Sequence, residues 1–310
     1  MNLSKAIDGY LINATELSPR TLELYGMCLY RFANWMGDIE LHDVNKEHTS
    51  KFLKWLQESY KPTRFSGDES PLSATAIDKY WIALRSFFSW SADTLNIERP
   101  DLQMKRPKVT KPEIIPYSKE EVDKIIYQCT WITTDGSDKR KSYRMKKPKS
   151  LRDRAIVFTL LDTGIRLGEL LRLEYRDLNM DNGELHIRAH NTGIKSKPRT
   201  VFLSRSTKKE LWLYLSEHEN YPNDKIFDIK ESSFQSLMFR LQERTGTHVH
   251  AHRFRHTFAI QYLRNGGDIF TLQRLLGHAT LEMVRYYLHL ADADTQDVHR
   301  RSSPVDRWHL

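Results

Sequence analysis

The chain has 310 residues, 39% of them hydrophobic and 11% aromatic, which excludes a disordered protein and leaves room for one large domain or two. A formal charge of +8 and a pI near 9.3 favour a polyanionic partner. No apolar run approaches the roughly 18–20 residues that cross a bilayer, and the opening MNLSKAIDGYLINATEL lacks the basic start and long apolar core of a secretion signal.

The first hundred residues read as helices. In SPRTLELYGMCLYRFANWMG, Ser18 is a cap and Pro19 takes the first helical position, where a missing N–H goes unnoticed. Leu22, Tyr25, Leu29, Phe32 and Met36 then recur at steps of three and four and predict one buried stripe. A further helix is expected over Lys46–Tyr60. Beyond the loop KPTRFSGDESP, the run SATAIDKYWIALRSFFSWSA repeats the design, with Ser73 as cap and Ile77, Tyr80, Leu84, Phe87 and Phe88 facing inward. Cys28 and Cys129 are far apart and in no metal-like spacing, so free thiols in a reduced, cytoplasmic compartment are expected.

At 101–117 the texture changes. ERPDLQMKRPKVTKPEIIPYS is dense in proline and in lysine and arginine, a composition that cannot continue a helix. It reads as a linker between a domain at 1–100 and another at 118–310. Lys105, Arg106 and Lys108 suit either a strap along a phosphate backbone or an ordinary solvated linker. A second basic stretch, DKRKSYRMKKPKS at 138–150, reads as a mobile DNA-contacting insertion or a disordered loop.

LRDRAIVFTLLDTG predicts a helix ending at Gly164, and RLGELLRL a short one after it. GELHIRAH follows an Asn182–Gly183 turn and alternates Leu185, Ile187 and Ala189 inward, which predicts a strand. RTVFLS would pair with it across NTGIKSKP. Helices are expected over 206–217, 232–244, 252–265, 268–276 and 281–291. The fold class is therefore mostly α with a small antiparallel β-sheet.

HRFRH, at 252–256, concentrates chemistry. His252, Arg255 and His256 fall at i, i+3 and i+4 and share one helix side, with Phe254, Phe258 and Tyr262 among the apolar residues behind. The alternate histidines of HVHAHRFRH could chelate, but Arg253 and Arg255 would flank the ion and no acidic ligand is near, so a metal is not expected. A structural place suits His248 and His250 better. An arginine fork suits the non-bridging oxygens of a phosphate. Arg166 in LLDTGIRLGELL is a second such arginine, and Glu169, three residues on, is positioned to hold its guanidinium.

Taken in order, DTGIRLGELLRL, HRFRH and LLGHATLEMVRYYLHL resemble the sequence boxes of the tyrosine recombinases, the phage-integrase family. They match its turn–Arg–x–x–Glu box, its His-x-x-Arg-His box, and its Leu-Gly-His followed by a nucleophilic tyrosine nine residues later, here His278 and Tyr287. The match covers 120–291, while the helical front half fits the family's core-binding domain in length and position only.

The resemblance implies a DNA-clamping helical domain followed by a catalytic domain, acting on double-stranded DNA at specific sites in the nucleoid. It implies a homotetramer in which the C-terminal segment LADADTQDVHRRSSPVDRWHL docks on a neighbouring protomer; a frayed tail is the plain alternative. Tyr287 would attack the scissile phosphate, giving a 3′-phosphotyrosyl bond and a free 5′-hydroxyl, with neither metal nor ATP nor other cofactor. Arg166 and Arg255 would clamp the non-bridging oxygens, His278 would hydrogen-bond one of them, and His252 would assist the loss of the phenolic proton. His256 would be structural.

The family's catalytic lysine falls in NTGIKSKPRTV, where the register points at Ile194 and so leaves Lys195 or Lys197. Lys195, nearer the first strand, is preferred, with Lys197 and Arg199 as DNA contacts. Tyr286 lies about 100° around the helix from Tyr287, so only one of them can face the phosphate. Two other readings share part of this pattern: a type IB topoisomerase that relaxes DNA as a monomer, and a DNA-binding protein that has lost catalysis. The Leu-Gly-His spacing and the compact helical front half speak against the first, and the full set of residues against the second.

Overall fold

The computed structural model describes residues 1–63, 69–110, 113–134, 143–189, 198–217, 219–278, 280–291 and 303–308. Two units emerge, Met1–Pro112 and Glu113–Leu310.

The first unit is helical: α1 (Leu3–Asn13), α2 (Pro19–Met36), α3 (Lys46–Glu58) and α4 (Ala74–Leu95). Ser18 Oγ accepts from the Thr21 amide at 3.2 Å and starts α2, and Ser73 Oγ does the same for α4 through the Ala76 amide, also at 3.2 Å. Leu29, Phe32, Phe52, Ile77, Tyr80, Leu84, Phe87 and Phe88 share one core with Leu3 and Ile7. Each such side chain contributes about 1.5–3 kcal/mol by leaving water. The stripe of α2 is rotated from the one predicted. Gly26, Cys28 and Ala33 are buried, whereas Leu22, Tyr25 and Met36 sit at the rim. The reason is α1, which packs on α2 so closely that a Cβ on Gly26 would come within 3.3 Å of Leu11.

The expected linker begins inside this unit. Asp101 is fully buried and receives the Arg99 guanidinium at 3.1 and 2.6 Å. The Met104 carbonyl accepts from Trp81 Nε1 at 3.2 Å, and its side chain joins the core. Arg106 is held by Asp78 at 2.8 and 3.0 Å and lies over the Trp81 ring. Its side chain nevertheless stays 59% exposed, and Lys105 and Lys108 are exposed as well.

The second unit runs α5 (Lys119–Thr130), β1 (Trp131–Thr134), β2 (Tyr143–Lys146), α6 (Ser150–Thr163), α7 (Leu167–Leu170), β3 (Leu178–Asn179), β4 (Glu184–Ile187), β5 (Arg199–Phe202), α8 (Arg205–Leu215), α9 (Glu231–Thr245), α10 (Ala251–Arg264), α11 (Ile269–Leu276) and α12 (Glu282–Ala291), with a last short helix at Pro304–Trp308. Part of the second basic stretch is ordinary structure. Tyr143–Lys146 pairs antiparallel with Trp131–Thr134, and Ser150 opens α6, whereas 138–142 lie outside the described residues.

Strands β3, β4 and β5 form an antiparallel sheet in that order, with Leu185 opposite Val201 and both buried. Ala189, expected to point inward, lies past the end of β4 and is exposed. No helix among the described residues is long and apolar enough to cross a membrane.

Two details position the site. Gly164 ends α6 at φ +61°, and a Cβ there would lie 2.4 Å from the Phe258 ring, so only glycine lets α10 approach. A separate apolar cluster of Ala259, Ile260, Leu263, Leu272, Leu276, Val284 and Tyr287 ties α10, α11 and α12 together. That cluster fixes α12 against its own chain.

Candidate active site

Arg255 is the hub. It sits on the first turns of α10, 2% exposed, and reaches the ends of two other helices. Its Nη1 donates to the Gly164 carbonyl at 2.7 Å, and its Nη2 to the Leu276 carbonyl at 2.7 Å. The same Nη2 lies 2.7 Å from His278 Nε2. Sequence periodicity places this arginine on an open cationic face; the ends of α6 and α11 close over it instead. Among the described residues no carboxylate hydrogen-bonds it. Burial, and then the charge of Arg166, push its pKa down to about 9. The charge of Glu169 offsets part of this, but a buried guanidinium with no carboxylate directly on it among the described residues is prepared for an anion.

Glu169 organises the other guanidinium groups. It is 3% exposed and accepts from the Arg166 amide at 2.8 Å and from Arg166 Nη1 at 3.1 Å. Its stronger partner is Arg199, which reaches both carboxylate oxygens at 2.9 and 2.8 Å and also donates to the Leu275 carbonyl at 2.6 Å. Burial alone would raise the Glu169 pKa, but Arg199 and then Arg166 outweigh it and bring it to about 2. This corrects the reading of Arg199 as a DNA contact: its side chain is 7% exposed, and both ends of its fork are occupied. The Arg166 side chain, 28% exposed, keeps a face toward solvent.

His278 follows Gly277, which ends α11 in a left-handed conformation at φ +64°. Burial, then Arg255 and Arg166, push the His278 pKa down to about 3, so the ring is neutral. Its Nδ1 is buried with no hydrogen-bond partner among the described residues. The ring stacks on Tyr287 with centroids 6.2 Å apart and planes 12° from parallel.

Tyr287 lies 5% exposed, with its neighbour Tyr286 half-buried. Burial raises the phenol's pKa, opposed by the charges of Arg255 and Arg166. The hydroxyl lies 2.8 Å from His256 Nδ1. His256 is thus the imidazole at the phenol, a contact that the sequence reading did not foresee. His252, exposed, stands one ring further on, edge-to-face with His256 at a centroid distance of 5.0 Å.

The remaining histidines have structural places. His250 Nδ1 accepts from the Arg253 amide at 3.2 Å and caps α10. The His248 carbonyl accepts from Arg253 Nη1 at 3.0 Å and from the Tyr117 hydroxyl at 3.3 Å. Lys195 and Lys197 lie outside the described residues. The structure thus brings Arg166, His252, Arg255, His278 and Tyr287 into one cluster, with Glu169, Arg199 and His256 holding it.

A phenol set among guanidinium and imidazole groups, presented by a mainly helical unit with a small antiparallel sheet, is the arrangement of a tyrosine recombinase. The chain belongs to the phage integrase family, which matches residues 134–294, and the family's N-terminal SAM-like domain matches residues 7–94. Curated relatives include the tyrosine recombinase XerA of Saccharolobus solfataricus, 27% identical over 89% of this chain and 84% of its own length. The tyrosine recombinase XerD of Pseudomonas aeruginosa is 28% identical over 93% of this chain and 92% of its own.

Solved structures share the fold at lower identity. The XerH site-specific recombinase bound to palindromic difH substrate, in a post-cleavage complex, gives a TM-score of 0.66 at 22% identity, covering 99% of this chain and 85% of that one. A lambda integrase dimer bound to a COC′ core site gives 0.67 at 18% identity, covering 91% and 97%.

Proposed function

We propose that this protein is a site-specific recombinase that cleaves and rejoins double-stranded DNA through a 3′-phosphotyrosyl intermediate. One observation carries the reading: the Tyr287 ring stacks on His278, which is hydrogen-bonded to a buried Arg255 that no carboxylate hydrogen-bonds among the described residues. In this reading a DNA phosphate supplies the anion that meets Arg255 directly. Arg255 and the exposed face of Arg166 hold its non-bridging oxygens, where charge grows in the transition state. His278 donates a further hydrogen bond, through the proton that a neutral ring carries on one nitrogen.

Tyr287 attacks phosphorus in line with the departing 5′-oxygen, which takes a proton from Lys195, with Lys197 as the alternative donor. His252 is the family's position for helping the phenolic proton away. The ester energy stays in the phosphotyrosyl bond, so rejoining to a different 5′-hydroxyl exchanges strands without ATP. The first unit, with Lys105 and Lys108, would clamp the duplex. Four protomers would act together on two sites, each tail docking on a neighbour.

The test uses a supercoiled plasmid carrying two direct copies of the inverted repeat that flanks the encoding element. Excised circles are expected from the wild-type protein and none from Tyr287→Phe. Relaxed plasmid without excision would favour topoisomerase action, and binding with neither product would favour a protein that has lost catalysis.

A further inference from the structure

We infer that His256 is the immediate proton acceptor for Tyr287 and that His252 serves the site from one ring further out. The inference rests on the recombinase reading above and adds a residue to its machinery.

The geometry is direct. His256 Nδ1 lies 2.8 Å from the Tyr287 hydroxyl, within the range for a group that takes a proton as attack begins. Both partners are anchored. His256 stands on α10 between the buried Arg255 and Thr257. Tyr287 belongs to the apolar cluster that binds α12 to α10, and its ring lies near-parallel to that of His278. His252 meets the His256 ring edge-to-face at 5.0 Å, and no hydrogen bond joins it to Tyr287 among the described residues.

The protonation state also suits an acceptor. Burial, followed by the charges of His252, His250 and Arg255, pushes the His256 pKa down to about 4. At neutral pH the ring is uncharged, and with its proton on Nε2 it accepts the phenol's hydrogen bond through Nδ1. An arriving phosphate places negative charge beside Arg255 and cancels part of the repulsion that depresses His256. The ring therefore becomes a better base when substrate is bound.

In the step itself, the phenolic O–H bond breaks as the O–P bond forms, and the proton goes to Nδ1. The bond from phosphorus to the 5′-oxygen breaks, and that oxygen takes its proton from the lysine. The His256 imidazolium then loses its Nε2 proton to water on the exposed His252 side.

The experiment measures single-turnover formation of the covalent adduct on a nicked duplex carrying the flanking repeat, from pH 5 to pH 9, with DNA binding followed by fluorescence anisotropy. His256→Gln keeps a hydrogen-bonding group near the phenol but has no basic nitrogen. It is expected to bind normally and to form adduct more slowly by about 10²-fold at neutral pH, the lower end for general-base help. The deficit should shrink as rising pH supplies hydroxide to take the proton. His256→Ala should be equally slow and regain rate with added imidazole.

A uniform slowing at every pH, with no imidazole rescue, would mean a packing role and overturn the assignment. Adduct formation as fast as wild type, or faster, would do the same. If the wild-type protein itself forms no adduct, the recombinase reading fails first.

Discussion

Glu169 and Arg199 form a two-pronged ion pair at 2.9 and 2.8 Å, buried at the base of the candidate site and 30 residues apart in the chain. A carboxylate that also caps α7 and receives Arg166 fixes three pieces of backbone at once: the α7 turn, strand β5 and the end of α11. Removing its charge leaves Arg199 buried and unpaired, which costs about 3–5 kcal/mol. Glu169→Gln should show that loss in urea unfolding.

The same pair sets an acid limit. The folded pKa of Glu169 is about 2, below its ordinary 4.5. Its contribution is therefore complete above 4.5 and is lost as pH falls toward 2. Wild-type stability should drop across that window, and Glu169→Gln should show a shallower acid limb. Identical limbs would place the ion pair's proton linkage elsewhere.

Gly164→Ala should be severely destabilising for so small a change. The residue sits at φ +61°, and the new methyl would meet Phe258 at 2.4 Å. Strain of about 1–2 kcal/mol in the left-handed region adds to an overpacking cost of about 1–3 kcal/mol. Since the Gly164 carbonyl anchors Arg255, cleavage should fall even at temperatures where the variant stays folded; thermal denaturation and adduct formation together would show both.

Arg255→Lys keeps the charge and removes the fork. A single ammonium cannot reproduce the planar contacts to Gly164, Leu276 and His278 and still face a phosphate. Cleavage should fall about 10²–10³-fold, with DNA affinity at low salt little altered. Gel-shift and single-turnover assays on the same preparation would separate the two effects.

Lys195→Ala should slow cleavage by about 10²-fold or more if it protonates the 5′-oxygen, and Lys197→Ala much less. A substrate with sulfur in place of that oxygen leaves without a proton, so it should restore the Lys195→Ala variant. Equal effects from both lysines would undo the choice between them.

Much of the fold was legible because its signals are local. The Ser18 and Ser73 caps, the glycine that ends α6 and the Asn182–Gly183 turn each depend on a few neighbouring residues. What the sequence hid depends on tertiary placement. The stripe of α2 was rotated by the unforeseen α1 packing on Gly26. Arg199 carries no sequence mark that separates a phosphate contact from a partner for Glu169; only the meeting of β5 with α7 decides it. His256 looked structural beside His252, because i and i+4 share a helix face and spacing cannot say which ring meets α12.

The most direct measurement locates the covalent bond. Wild-type protein is trapped on the nicked flanking-repeat duplex, digested with protease and nuclease, and the nucleotide-bearing peptide is sequenced by mass spectrometry. The account predicts the remnant on Tyr287, an unchanged adduct from Tyr286→Phe, and none from Tyr287→Phe with DNA binding intact. A remnant on Tyr286, or an adduct that survives Tyr287→Phe, would contradict it.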